Sequence, residues 1–183
     1  SGGSAVSVAA GAVAVSIGTD TGDSVRKPAA YNGIIGVKPT YGRISRYGII
    51  PYASSLDHVG YFTTNVEDAC TMLEVLAGRD DRDMTSSMRP VEAYRALLDS
   101  DVSGKVIGVL DNVQEAISDE RVKENLNVLL SRLEARGAVI RHVRMPQELM
   151  ETVLPVYLTI ANAEATANHS NLDGIRYGMR EPG

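Results

Sequence analysis

Apolar and polar positions along this chain fall into blocks with different periods, and each block predicts an element. Residues 4–15 are small and apolar, rich in Ala and Gly, the pattern of a tightly packed buried helix that runs into a strand at about 15–18. A polar turn follows, Gly18-Thr19-Asp20-Thr21-Gly22-Asp23-Ser24. A short helix is predicted from near Ser24 to about Asn32, with Pro28 in its first turn, where a missing N–H would have found no partner anyway. Residues 34–37, set between Gly33 and Pro39, read as a strand. Residues 40–53, rich in Gly, Arg and Tyr, read as a loop with short extended pieces.

Further on, residues 66–77 carry a helical apolar stripe, with Asn65 as N-cap and Gly78 as stop. Residues 79–82 form a charged loop, and 90–98 suggest another short helix. The run 105–110 predicts a strand. Residues 118–136 predict a helix with Val122, Leu126, Leu129, Leu130 and Leu133 on one face, closed by Gly137, and 138–143 a second strand. Strand, helix, strand at this spacing reads as a right-handed parallel crossover. The last long helical pattern runs from Gln147 to about His169, and Pro155 should kink or split it. The alternation predicts an α/β fold, an α/β/α sandwich with a central mixed sheet.

Composition narrows the function classes. The chain has 183 residues, 44% of them hydrophobic and 22% charged, as in an ordinary globular domain. A net charge of −5 argues against a surface built to grip phosphates. The single cysteine, Cys70, permits no intrachain disulfide, fits a reducing cytoplasmic setting and is expected to pack inside its helix. Residues 5–17 are too short, and too broken by Ser7, Gly11 and Ser16, to span a bilayer. No metal site is expected: His58, His142 and His169 are scattered, and Asp80, Asp81 and Asp83 lack the complete calcium-loop pattern.

The chemistry concentrates in the turn 18–24. A strand that enters a turn and leaves as a helix places a hydroxyl beside a helix N-terminus, where consecutive N–H groups have no ladder partners and can meet an oxygen that turns negative during acyl transfer. Ser24 is the candidate nucleophile of such a site. The same residue types also make any polar turn between a strand and a helix, and the residues alone leave both readings open.

Ser1-Gly2-Gly3-Ser4, Gly18-Thr19-Asp20-Thr21-Gly22-Asp23-Ser24-Val25-Arg26 and Gly36-Val37-Lys38-Pro39-Thr40, in this order and at these separations, resemble the defining segment of the amidase signature family. Tyr41-Gly42-Arg43-Ile44-Ser45-Arg46-Tyr47-Gly48, Ser54-Ser55-Leu56-Asp57 and Asp173-Gly174-Ile175-Arg176-Tyr177-Gly178 resemble its glutamyl-tRNA(Gln) amidotransferase branch. The resemblance implies that residues 1–183 are the central part of a single amidase signature domain. It further implies a serine nucleophile at Ser24, activated by a lysine through a second serine in a cis peptide. Ser1 aligns with the residue after that bridging serine, so the bridging serine and the lysine are expected upstream of residue 1, and this stretch alone is expected not to hydrolyse amides. Lys27, the nearest lysine, reads as a solvated first-turn residue rather than a substitute base.

The resemblance assigns the oxyanion to the backbone N–H groups of Thr21, Gly22 and Asp23, and places Tyr157 toward a glutamine substrate. Residues that would grip the glutamine α-carboxylate and α-amino groups fall past Gly183. Asp20 and Arg26 are expected to brace the active-site loop; Arg43 and Arg46 read either as ordinary surface charges, the favoured reading, or as further ion-pair partners of Asp20 or Asp57. Asp23 stands where the family has glycine, and its bulk and charge should raise the barrier to catalysis. The implied partners are glutamine, further amidotransferase subunits and, through them, tRNA. No cofactor is expected on this chain; ATP and Mg belong on a partner subunit. A general amide hydrolase of the same family, or a non-catalytic scaffold, are the alternatives.

Overall fold

The computed structural model describes residues 1–175. Arg176, Tyr177 and Gly178, the end of the last motif quoted above, lie outside the described residues. The chain divides into two compact units, one made of residues 1–98 with the segment from Tyr157 onward, the other of residues 99–156.

The first unit opens with α1 (Gly2–Ala9), β1 (Ser16–Asp20), α2 (Arg26–Asn32) and β2 (Ile35–Val37), all close to the predicted positions. The opening helix stops earlier than the apolar run suggests, because Gly11 takes a left-handed φ of 70° and the chain leaves the helix there. The strand β3 (His58–Thr63), which the residue pattern does not predict, is the centre of the sheet. Its neighbours β1 and β2 flank it antiparallel in the order β1-β3-β2, with Gly18 opposite Gly60 and Gly36 opposite Phe62. The helix α3 (Val66–Leu76) follows, with Asn65 as its N-cap: the Asp68 N–H donates to the Asn65 side chain.

Side chains of β3 alternate between two cores. Phe62 packs with Ala5 and Val8 of α1 and with Val25 and Ala29, and Ile34 closes over them. Tyr61 and Val59, on the opposite face, pack with Ile44 and Ala69, backed by Met72, Leu73 and Leu76 of α3. Helices therefore cover both faces of the three-stranded sheet, the layering predicted for the whole chain. Burial on both sides is why β3 lacks the apolar-polar alternation by which a half-exposed strand is recognised. The Tyr61 hydroxyl satisfies its buried polarity by donating to the Ala69 carbonyl at 2.6 Å, and burial raises its pKa to about 12. Gly36 is set by close approach: a β-carbon there would lie 2.6 Å from Ala29 Cβ, so only glycine lets α2 seat against β2.

A 3₁₀ turn at Tyr94–Leu97 takes the place of the short helix expected over 90–98. Arg79 to Asp83 form the predicted charged loop. Cys70 is half-buried on α3 rather than sealed in the core.

The second unit holds β4 (Val106–Leu110), α4 (Asp111–Ala116), α5 (Glu120–Ala135) and β5 (Val139–Val143). The two strands pair in parallel, as the strand-helix-strand spacing predicts, and Gly137 at φ 85° closes α5. The six residues of α4 are too few to show a period, and the sequence does not announce it. The apolar stripe of α5 is narrower than expected: Leu126, Leu130 and Leu133 are half-buried, whereas Val122 and Leu129 are about half exposed. The last helix, α6 (Gln147–His169), is one continuous element with Pro155 inside it, so the expected split is absent. Its residues from Tyr157 on belong to the first unit.

Phe62 is fully buried between two helices. Phe62→Ala is expected to lower the unfolding free energy by about 3–5 kcal/mol, read from urea denaturation.

Candidate active site

The site is built where β1 ends. Asp20, its last residue, has 0% exposure, and a buried carboxylate is costly to ionise unless cations and donors surround it. Arg26 supplies Nε at 3.1 Å from Oδ2 and Nη2 at 3.2 Å from Oδ1. Lys38, at the end of β2, places Nζ 3.2 Å from Oδ1. The Val25 N–H donates to Oδ2 at 3.1 Å, and the Arg26 N–H leans on the same oxygen at 3.4 Å. Burial pushes the Asp20 pKa up, but Arg26, the Val25 N–H and Lys38 together outweigh it and hold the carboxyl at about 2. The carboxylate thereby caps the start of α2 from outside the helix, because Val25, the N-cap residue, has no side chain to do so.

Arg26 also donates to the Gly22 carbonyl. One side chain thus ties the end of β1 to the middle of the turn, the bracing expected of the Asp20–Arg26 pair. Lys38 is a third member that the sequence does not reveal; it belongs to the quoted Gly36–Thr40 motif, but nothing in its spacing shows that the residue after β2 comes within reach of the end of β1 across the intervening β3.

The turn carries Ser24 to an exposed position. The N–H groups of Thr21, Gly22, Asp23 and Ser24 donate to no partner among the described residues, while those of Val25 and Arg26 are engaged by Asp20. Four consecutive free donors and a free hydroxyl is the arrangement an acyl-transfer site requires. Thr21 and Ser24 line a cleft of about 410 Å³ with Ser1, Thr19, Tyr52 and Tyr157. Tyr157, the predicted substrate-facing residue, stands against the turn. A β-carbon at position 22 would sit 2.7 Å from its hydroxyl oxygen, so a side chain there would displace the Tyr157 ring, and no positive φ calls for glycine. Burial, with Tyr52, Asp23, Asp20 and Asp57 nearby, raises the Tyr157 pKa and keeps its phenol protonated.

Two contacts fix the cleft walls. The Ser1 hydroxyl accepts from the Thr19 N–H at 3.0 Å and donates to the Thr19 carbonyl at 3.1 Å. Thr21 Oγ1 donates to Asp57 Oδ1 at 2.6 Å, and Asp57 Oδ2 accepts the Tyr52 N–H at 2.8 Å. Tyr52 is not singled out by the sequence, and Asp57 meets a threonine rather than an arginine. Arg43 and Arg46 pair with neither Asp20 nor Asp57. The Arg43 guanidinium reaches the Arg89 and Pro90 carbonyls and the Tyr94 hydroxyl. That of Arg46 reaches the Ser54 carbonyl and Thr85. Both arginines satisfy loop carbonyls, which propensity and charge patterns do not encode.

Asp23 keeps an ordinary negative φ, so no left-handed backbone is needed there. Its carboxylate is half exposed and meets Lys27 Nζ at 2.5 Å. The hydrogen bond to Asp23 raises the Lys27 pKa, opposite to what a general base needs, in line with the solvated reading of Lys27. Among the described residues no group of His, Cys, Asp and Glu could hold a metal, and no helix is long and apolar enough to cross a membrane. Asp80 accepts from Ser45 and Arg82, and Asp83 from Thr85 and the Arg46 N–H.

The chain belongs to the amidase family: the family model, Amidase, matches residues 1–182. Among relatives, a glutamyl-tRNA(Gln) amidotransferase subunit of Lactobacillus delbrueckii subsp. bulgaricus is 46% identical over 180 residues, 98% of this chain and 37% of that protein. The solved glutamyl-tRNA(Gln) amidotransferase subunit from Thermotoga maritima superposes with a TM-score of 0.83 at 38% identity, over 95% of this chain and 38% of that one. The native peptide amidase of Stenotrophomonas maltophilia superposes with a TM-score of 0.73 at 34% identity, over 92% of this chain and 36% of that one. The chain spans about 37% of the length of the curated relatives it matches.

Asp20 has its pKa depressed in the folded state, so its stabilising contribution is full above the unfolded carboxylate pKa and is lost as pH falls toward about 2. From that depression the contribution is roughly 2 kcal/mol. Asp20→Asn is expected to flatten the loss of stability between about pH 4 and pH 2, measured as urea midpoint against pH.

Proposed function

We propose that the natural protein carrying this chain releases ammonia from glutamine through an acyl-enzyme on Ser24, and passes it to amidotransferase subunits that convert Glu-tRNA(Gln) to Gln-tRNA(Gln). The observation that carries the reading is the exposed Ser24 hydroxyl at the rim of the Thr21–Tyr52–Tyr157 cleft, next to four unengaged N–H groups. In this mechanism Ser24 Oγ attacks the amide carbon. The carbonyl oxygen gains the negative charge, and the N–H groups of Thr21, Gly22 and Asp23 hold it. Collapse expels ammonia and leaves the glutamyl ester, which water then cleaves, returning the proton to Ser24.

A serine hydroxyl needs a base within hydrogen-bond reach. The resemblance assigns that work to a lysine acting through a cis serine, both outside residues 1–183, so the isolated chain is proposed to be inactive. Tyr157, protonated and beside Gly22, would offer a donor to the bound substrate. ATP and Mg, needed to activate the tRNA-borne carboxylate, would sit on a partner subunit, in keeping with a net charge of −5 on this one.

A second reading, hydrolysis of other amides without a partner, is favoured by the likeness to a peptide amidase. The Tyr41–Gly48 segment supports the amidotransferase reading. Tyr41 and Arg46 both donate to the Ser54 carbonyl, in the loop that carries Tyr52 to the cleft, so this segment shapes the site.

In the complete natural polypeptide with its subunits, Ser24→Ala is expected to lower glutamate release from glutamine by about a thousandfold or more. Unchanged turnover would reject the proposal, and ammonia transfer to charged tRNA separates the two enzymatic readings. Asp23→Gly is expected to raise kcat in the same assay by about tenfold, since it removes a carboxylate beside the oxyanion position; steady-state kinetics with glutamine check it.

A further inference from the structure

Asp57 is the second buried carboxylate near the turn, at 3% exposure, and unlike Asp20 it is paired with no cation among the described residues. Its two oxygens are divided between two partners. Oδ1 takes the Thr21 hydroxyl at 2.6 Å and Oδ2 takes the Tyr52 N–H at 2.8 Å. Both partners line the Ser24 cleft, while Asp57 itself does not. A buried carboxylate that commits its bonds to a hydroxyl and an amide, at a distance typical of a charge-assisted bond, holds geometry more than it stores charge.

The loop around Asp57 has its own anchors. Tyr41 and Arg46 donate to the Ser54 carbonyl. Asn168 donates to the Tyr52 carbonyl at 3.0 Å, and Glu164 accepts from the Ser55 N–H at 2.9 Å and from the Ser55 hydroxyl at 2.5 Å. The Asp57 turn is closed by its own N–H, bonded to the Ala53 carbonyl at 2.8 Å. Held from four sides, this loop is a fixed platform. The Thr21–Ser24 turn is the opposite case: Asp20 and Arg26 fix its two ends and the Gly22 carbonyl, but among the described residues the Thr21 side chain bonds only Asp57.

We infer that Asp57 is a positioning residue, which transfers the rigidity of the 52–57 loop to Thr21 and so sets the aim of the first oxyanion N–H relative to Ser24. The inference rests on the amide-hydrolysis reading above. It assigns the Thr21 hydroxyl a role distinct from that of the Thr21 N–H: the N–H meets the substrate, and the hydroxyl fixes where it points.

The test uses the complete natural polypeptide with its subunits, with glutamine as substrate. Thr21→Val keeps the backbone N–H and nearly the same volume but removes the bond to Asp57. It is expected to lower kcat about ten- to a hundredfold with KM changed less than about threefold, the signature of a misdirected transition-state contact. Thr21→Ser restores the hydroxyl and is expected to recover kcat to within about threefold. The double variant Thr21→Val/Asp57→Asn is expected to be no slower than the slower single variant, since both remove one contact. Wild-type kcat in Thr21→Val, no rescue by Thr21→Ser, or additive losses in the double variant would each overturn the inference while leaving Ser24 as nucleophile. Full turnover in Ser24→Ala would instead overturn the reading on which it rests.

Discussion

The site depends on keeping one carboxylate ionised inside the protein. Asp20 has no exposed surface, and the fold compensates its desolvation with a guanidinium, an ammonium and backbone N–H groups drawn from different places in the chain. Those partners come from the start of α2 and the end of β2, so the same charge that costs energy to bury fixes the relative position of β1, α2 and β2. A neutral residue of equal size would fill the space without specifying which elements meet there. The polar turn between Asp20 and Arg26 inherits its shape from that constraint.

Much of this was legible in the chain. Small apolar residues followed by a polar turn and a proline in the first turn of a helix mark a strand-turn-helix, and the candidate site lies in that turn. Ser24 stood out as a candidate from its place in the turn, its role and that of Gly22 came from the resemblance, and the Asp20–Arg26 pair lies close enough in sequence to be expected. What escaped detection was non-local. β3 is buried on both faces and contains Gly60, so it shows neither alternation nor a long apolar run. Lys38 and Tyr52 reach the site only because β3 brings β2 and the 51–57 loop back to β1. Arg43 and Arg46 carry charge and yet bind carbonyls, a choice set by loop geometry.

Conformational demands at the turn also differ from what residue type suggests. Glycine at position 22 leaves room for the Tyr157 ring in its present position rather than serving a left-handed backbone, and Asp23 has a negative φ that any residue can adopt. The aspartate at 23 is therefore a matter of charge and contact. Its carboxylate is turned to Lys27, so the two residues form a surface pair one turn apart at the start of α2.

The central position of β3 has a consequence for how the molecule comes into being. Its register with β1 joins Ser16 to Phe62 and Asp20 to His58, across a long intervening stretch of chain. Pairings of that separation are entropically slow to close and form late relative to local helices. Asp57, one residue before β3, arrives beside Thr21 only when this closure is complete. Docking of the middle strand is therefore the step that adds the Asp57 contact to a turn already braced locally by Asp20 and Arg26.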